Sequence, residues 1–208
     1  MHVCFNNNLM TFKHQSALMA IALTASLSIV SCKEETYQTA SATAEVVTPS
    51  HESVIEKGKY LVGVMGCNDC HSPKKVGPNG PELIPELLLS GYPSDRPVVT
   101  FDSPMIKEGF GMFYPDLTAA AGPWGISFAA NLTPDDTGIG SWTEAQFKKA
   151  LTEGKFKGMD NGRMLLPPMP WMNFANIKDE DLHAMFMYLK SINPVENVVP
   201  APVAPDQM

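Results

Sequence analysis

"GCNDCHSP", residues Gly66–Pro73, sets two thiols three positions apart and an imidazole directly after the second. A redox dithiol uses such a cysteine pair, and so does half of a zinc site. A redox Cys-x-x-Cys pair opens a helix near a strand–helix unit. Here the pair closes a helical pattern instead. In "SVIEKGKYLVGVMGCNDCH", Ser53 and Glu56 stand at capping-box spacing, and Val54, Leu61 and Met65 fall on one helical face ahead of the cysteines. A zinc site takes four protein ligands, or three and a water. No second cysteine pair follows, and the other histidines, His2, His14, His51 and His183, form no matching pair.

A third chemistry uses all three side chains. Thiols at i and i+3 lie on one side of a helical turn, so each can add to one vinyl group of a porphyrin. The next residue, His71, is then held under the iron as proximal ligand. Cys-x-x-Cys-His is the attachment pattern of c-type haem. The motif occurs once, which predicts one covalent haem c on Cys67 and Cys70.

The other two cysteines have a separate explanation. Cys4 and Cys32 lie in or at the end of an N-terminal targeting segment. In "MTFKHQSALMAIALTASLSIVSC", Lys13 supplies the positive start and Ser16 to Val30 the apolar stretch of an export signal. The stretch is short for a membrane span, which needs about 20 residues. "IVSC" (Ile29 to Cys32) resembles a bacterial lipobox, in which the cysteine is lipidated and becomes the first mature residue. The expected organisation is a lipoprotein signal over 1–31, a polar flexible tether over 32–52, a folded domain over 53–193 and a Pro-rich extended tail over 194–208. Export agrees with c-type haem, which is attached outside the cytoplasm. It places the protein on the periplasmic side of a bacterial membrane, anchored through lipid on Cys32.

The chain has 208 residues, enough for one domain with a real core. Removing 1–31 takes away Lys13 and no acid, leaving 14 basic residues against 22 acidic ones, a formal charge of −8. Nucleic acid selects basic surfaces, so it is excluded as a partner.

A c-type haem that carries electrons commonly has methionine opposite the histidine. "MDNGRMLLPPMPWMNF" holds Met159, Met164, Met169 and Met172. Met169 stands among Pro167, Pro168 and Pro170, which fix φ and stiffen the loop. A stiff loop holds a weak thioether ligand at lower ordering cost. Met169 is the expected distal ligand, with Met164 and Met172 as alternatives. "KDEDLHAMFMYLKSI" then reads as a helix. Leu182, Met185, Phe186, Leu189 and Ile192 form its apolar face, acids crowd its start, and Pro194 follows its end. Lys178 precedes the helix and cannot cap it, and Asn176 or Asp179 could do so instead.

The order of "GKYLVGVMGCNDCHSPK", "FAANLTPDDTGIGSWTEAQFKKALTEGK", "GRMLLPPMPWMNFA" and "DEDLHAMFMYLKSI" resembles the class I cytochrome c family. The likeness is nearest to single-domain bacterial cytochromes c and to haem domains of dehydrogenase cytochrome subunits. The resemblance implies an all-α fold around one covalent haem, and electron transfer as the function. It implies that the first and last helices cross, with Gly58 and Tyr60 near Tyr188 and Leu189. It also implies attachment through Cys67 and Cys70, with His71 proximal and Met169 distal. The partners implied are redox proteins, a dehydrogenase or an oxidase. Those dehydrogenase subunits carry several haem domains, whereas one Cys-x-x-Cys-His occurs here.

Residues 72–130 form a long insertion after the motif. A helical turn is expected at Pro85–Leu89, with extended pieces at Val98–Phe101 and Gly125–Ala129. Wrapping of the haem edge is its expected role, and partner docking the alternative. "NLTPDDTGIGSW" is expected to be a turn leading to a helix over Glu144–Glu153, capped by Thr143 and Gln146 and stopped by Gly154. Arg163, Trp171 and Asn131 carry donors suited to haem propionates. Lys74 and Lys75 read as solvated surface, or as steering charges at the haem edge. An electron carrier uses all of these features. A haem enzyme or gas sensor would need an open or labile distal site, against the Pro-flanked methionine. A binding lipoprotein with a structural Cys pair leaves His71 and Met169 unexplained.

Overall fold

The structure, a computed structural model, describes residues 48–101 and 104–208. The export segment, Cys32 and most of the tether lie outside the described residues. In chain order the elements are α1 (His51–Val64), α2 (Cys67–His71), β1 (Lys74–Gly77), β2 (Gly80–Leu83), α3 (Pro104–Lys107), β3 (Met112–Phe113), β4 (Ala119–Gly122), β5 (Gly125–Phe128), α4 (Glu144–Glu153) and α5 (Asp179–Ser191). Among the described residues, no helix is long and apolar enough to cross a membrane.

Helix α1 starts earlier than the Ser53–Glu56 spacing suggests. Ser50 is its cap: the Ser50 hydroxyl accepts from the Ser53 amide at 3.2 Å, and the Ser53 hydroxyl donates to the Ser50 carbonyl at 2.7 Å. His51 and Glu52 have no reason to break a helix, so it extends back toward Pro49. Helix α4 has the expected capping box, Thr143 with Gln146, and ends at Gly154 in the left-handed region. Helix α5 lacks a side-chain cap. Lys178 occupies the capping position, and neither Asn176 nor Asp179 replaces it. Three acids in the first turn, Asp179, Glu180 and Asp181, offset part of that loss through the helix dipole.

The main core joins Val62 of α1, Phe147 of α4, and Leu182, Met185, Phe186 and Leu189 of α5 with Leu89 and Ile139. Helices α1 and α5 pack so closely that a Cβ on Gly58 would overlap the Ala184 carbonyl and stand 2.8 Å from Tyr188 Cβ. Lys57 pairs with Asp181 at 2.6 Å across the same contact. Tyr60, expected at this crossing, is 67% exposed, and Val62 fills the place instead. A side chain two residues after Gly58 turns roughly 200° around the helix, whereas one four residues on returns to the same face.

The all-α expectation holds for this helical frame but not for residues 72–130. That segment contains two antiparallel sheets. Strands β1 and β2 form a hairpin in register Lys74↔Leu83, and β3–β4–β5 form a meander. The expected pieces at Pro85 and Gly125 are present as a 3-10 turn, Pro85–Leu87, and as β5. Val98–Phe101 carries no strand. Val99 and Phe101 instead pack on a second core of Ile106, Ala121 and Ile126. Strand β4 reads "AAAG", without β-branched or aromatic residues or alternation. Its small side chains let it lie buried at every position between two neighbours.

The tail is extended as far as Ala204, closes in a 3-10 turn, Pro205–Gln207, and is docked on the domain. Ile126 and Val203 exchange backbone hydrogen bonds at 2.8 and 3.0 Å. Asn197 is buried, and it bonds three backbone groups of residues 90–94.

Candidate haem-attachment site

The chain turns from α1 into α2 at Gly66, which has φ 71° and therefore suits glycine. The turn places Cys67 at the first position of a five-residue helix and His71 at its last, so the cysteine pair opens a helix of its own and does not close the first one as expected. Cys67 packs against the main core. Cys67 and Cys70 are not joined in a disulfide. Burial pushes the Cys67 thiol up to about 11, and the nearby charges of Asp69 and Cys70 add to it. Burial also raises the Cys70 thiol, partly offset by Lys74. A redox dithiol needs a depressed thiol pKa, so this pair is poorly suited to that role.

The end of α2 is held by polar groups. Ser72 is fully buried; its hydroxyl donates to Asn68 Oδ1 at 2.8 Å and accepts from the Leu89 amide at 2.8 Å. Lys74 Nζ donates to the carbonyls of Asp69, Asp116, Ser72 and Asn68 at 2.6, 2.9, 3.2 and 3.4 Å. Two of these are carbonyls of α2, so an ammonium serves as its C-terminal cap. Lys74 is therefore a clamp between α2 and residue 116, neither a solvated nor a steering lysine. Lys75 stays exposed.

His71 is held at two points. Its carbonyl accepts from the Gly91 amide at 2.8 Å. Its Nδ1 lies 2.7 Å from the Ala130 carbonyl. A carbonyl only accepts, so Nδ1 carries the proton and Nε2 keeps the free lone pair. Burial lowers the His71 pKa, opposed by this hydrogen bond, which favours the neutral ring that metal ligation requires.

Of the four loop methionines, Met169 is half-buried, while Met159, Met164 and Met172 are exposed. The loop is tied to β5 by Ser127 Oγ, which donates to the Pro167 carbonyl at 2.6 Å. Leu165 donates to the Gly154 carbonyl at 2.7 Å. Trp171 lies against the end of α4, where a Cβ on Gly154 would stand 2.5 Å from its ring. Arg163 stacks its guanidinium 3.9 Å from the Phe156 ring centroid and donates to the Met164 carbonyl at 2.9 Å. Asn131 departs from its expected role. It is buried, its amide donates to Thr137 Oγ1 and the Val195 carbonyl, and its oxygen accepts from Thr133. With both N–H groups committed inside the protein, it is a structural staple and not a propionate donor. Asp135 bonds Thr137, making the expected turn ahead of α4.

Residues 55–193 match the family model for cytochrome c. The chain belongs to the cytochrome c family. Its cofactor is accordingly covalently bound haem c. It is 42% identical over 80 residues to a nicotinate dehydrogenase subunit of Pseudomonas putida, covering 38% of this chain and 6% of that one. It is 27% identical over 140 residues to the gluconate 2-dehydrogenase cytochrome c subunit of Pantoea cypripedii, 67% of this chain and 23% of the relative. The fructose dehydrogenase cytochrome subunit of Gluconobacter japonicus gives 27% over 149 residues, 71% and 23%. This cytochrome c chain thus spans less than a quarter of the length of these relatives. Its donor set fits the cofactor: two protonated thiols in one helical turn, and a neutral imidazole whose second nitrogen is already bonded.

Sequence reasoning missed Ala130, Gly91, Ser72 and the clamp role of Lys74. Ala130 and Gly91 act through backbone groups, which leave no side-chain signal. Gly91 has φ 80° in a Pro-rich stretch, where a glycine is unremarkable.

Proposed function

We propose that this protein is a single-haem electron carrier, attached through Cys67 and Cys70, with His71 as proximal and Met169 as distal ligand. The haem supplies one-electron chemistry at its iron when bound. The chain's residues fix ligands and limit water. The observation that carries this reading is the His71–Ala130 hydrogen bond, which orients Nε2 one residue after the second thiol. Met169 is favoured by its three neighbouring prolines, its partial burial and the anchoring of its loop on Ser127.

The carrier acts on the periplasmic side of a bacterial membrane, tethered by lipid on Cys32. It exchanges electrons with a dehydrogenase or an oxidase. A dehydrogenase is favoured because the relatives are a dehydrogenase subunit and cytochrome subunits of dehydrogenases.

Extraction of the denatured holoprotein with acidic acetone tests attachment: haem should stay with the protein, and its loss to solvent would refute the thioethers. Ferric wild type should show the weak red absorption band of thioether ligation, and Met169→Ala should lose it and bind carbon monoxide. If Met164→Ala or Met172→Ala abolishes the band instead, the ligand assignment is wrong. A wild type without the band that binds carbon monoxide readily points to a haem enzyme or gas sensor. Cys32→Ala should release the processed protein from membranes; unchanged fractionation refutes the anchor.

A further inference from the structure

The tail segment Val195–Asn197 lies where two separate strands of chain meet, and each of them holds one polar group of His71. The first is 89–94. Its Gly91 amide bonds the His71 carbonyl. The second is 129–137, and its Ala130 carbonyl accepts from His71 Nδ1. The two pair directly, Leu132 N–H to the Leu89 carbonyl at 2.8 Å and Tyr92 N–H to the Ala129 carbonyl at 3.0 Å. A Cβ on Gly91 would stand 2.6 and 2.7 Å from the carbonyl carbon and oxygen of Ala130, so there is no slack between them.

Asn197 bonds both. Its amide nitrogen donates to the Ser90 and Tyr92 carbonyls at 2.6 and 2.9 Å, on either side of Gly91. Its side-chain oxygen accepts from the Ser94 amide at 2.8 Å. Its backbone amide donates to Thr137 Oγ1 at 2.9 Å. Two residues earlier, the Val195 carbonyl accepts from Asn131 Nδ2 at 2.8 Å, and its amide donates to Thr133 Oγ1 at 3.1 Å. Asn197 is 6% exposed. A buried amide side chain with its donors and acceptor all engaged is costly to disturb and holds its partners in one geometry.

We infer that Asn197 is a positioning residue for the proximal histidine. It clamps the Gly91 and Ala130 segments, and so sets the length of the Nδ1–H bond to Ala130. That bond gives the imidazole partial imidazolate character, which raises its basicity and stabilises ferric iron. Loosening the clamp weakens the bond and raises the reduction potential. The inference rests on His71 as iron ligand.

The test uses the full-length holoprotein. Asn197→Leu is neutral and of similar size, and it removes both N–H donors together with the acceptor for Ser94. In the reduced protein, NMR should show the His71 Nδ1 proton exchanging with solvent at least tenfold faster. Potentiometry should show the ferrous form favoured about threefold more, an upward shift of roughly 28 mV for one electron. Val203→Pro is the control, because it removes the Val203 N–H bond to Ile126 in the same tail. It should lower the unfolding midpoint and leave both readouts unchanged. Should Asn197→Leu not fold, Thr137→Val removes the acceptor that the Asn197 backbone amide shares with Asn131 Nδ2, and both readouts should move the same way by less. Wild-type exchange and potential in the folded variants overturn the inference, as does an equal response to Val203→Pro. Absence of a haem-ligated histidine signal in the wild type overturns the ligand assignment, and the inference with it.

Discussion

Helices α1, α4 and α5 bury apolar side chains against one another, and among the described residues no buried polar side chain lies in any of them. The segment from Ser72 to Ala130, with the loop and tail that pack on it, is built the other way. Ser72, Ser90, Asp116, Thr118, Ser127, Asn131, Thr133 and Asn197 are all buried, and no buried side-chain polar atom of the described residues lacks a partner. The frame is held by a force that is non-directional and roughly proportional to area. The segment has a smaller apolar core, Ile106, Ala121 and Ile126, and adds to it directional bonds, which fix geometry more tightly than they add stability. A haem protein needs both: a stable cage, and a proximal ligand at a defined orientation.

Breaking the frame should have the largest effect. Gly58→Leu puts a side chain into the space of the Ala184 carbonyl and the Tyr188 Cβ. The helices must separate, and overpacking of this kind costs about 3 kcal/mol or more. Guanidinium unfolding of the holoprotein should show a correspondingly lower midpoint. A midpoint within error of wild type would mean that α1 and α5 are not the principal contact.

The polar segment has its own weak point at Asp116. Its carboxylate pairs with Arg96 at 2.8 Å and accepts from Thr118 N and Oγ1, and Arg96 lies between the rings of Tyr92 and Tyr114. Burial works to raise the Asp116 pKa, but the bonds from Arg96 and Thr118 outweigh it and hold it below its usual 3.8. A depressed folded pKa means stability that is present above the unfolded pKa and lost as pH falls through the folded one. Asp116→Asn should cost about 2 kcal/mol at neutral pH, since it leaves the Arg96 charge half-desolvated. The gap to wild type should narrow as pH falls below 3.8. A gap that stays constant from neutral pH down to about pH 3 would show that the ion pair contributes nothing.

The same division explains what the sequence disclosed. Apolar periodicity and capping residues are local signals, so α4 was legible to the residue and α5 by its buried face. The Cys-x-x-Cys-His motif is local too and named the attachment residues, but its apolar run-in hid the break at Gly66 that starts α2 as a separate helix. Bonds between residues far apart in sequence leave no such trace. Nothing in "NPVEN" announces that Asn197 will meet Ser90, and nothing in "FAAN" announces that Ala130 will accept from His71. Asn131 illustrates the error this causes. Its amide suits a propionate, but the chain brings Val195 and Thr133 to it first. Strand β4 was illegible for a different reason: it is buried at every position, but its alanines and glycine carry no strand propensity and no alternation.

Gly154 lies on the boundary between the two regions, so it sharpens the contrast. It ends α4 with φ 66°, its carbonyl accepts from Leu165, and its Cα faces Trp171. Gly154→Ala should cost about 1 to 2 kcal/mol, from a left-handed alanine and displacement of the indole. The methionine loop starts here, so the red thioether band should weaken in parallel. Loss of stability with an unchanged band would show that the loop is set by Ser127 alone.

The smallest effect should come from Thr143→Ala, and it tests whether the two regions unfold separately. Thr143 Oγ1 accepts from the Gln146 amide at 3.2 Å, and Gln146 Oε1 accepts from the Thr143 amide at 2.9 Å. Both bonds lie at the surface and serve only the first turn of α4. Losing a cap of this kind costs about 1 kcal/mol. Helix α4 contributes Phe147 to the main core, so the loss is felt by the frame and not by the bonds around Asp116 or Asn197. Native-state hydrogen exchange can separate these outcomes, because locally opening units lose protection independently. Amides at the start of α4 should exchange about fivefold faster, as about 1 kcal/mol requires at room temperature, while Thr118 and Tyr92, whose amides bond Asp116 and Ala129, keep wild-type protection. If Thr118 and Tyr92 lose protection by the same factor, the polar segment has no independent stability, and the difference between the regions is one of chemistry without a difference in cooperativity.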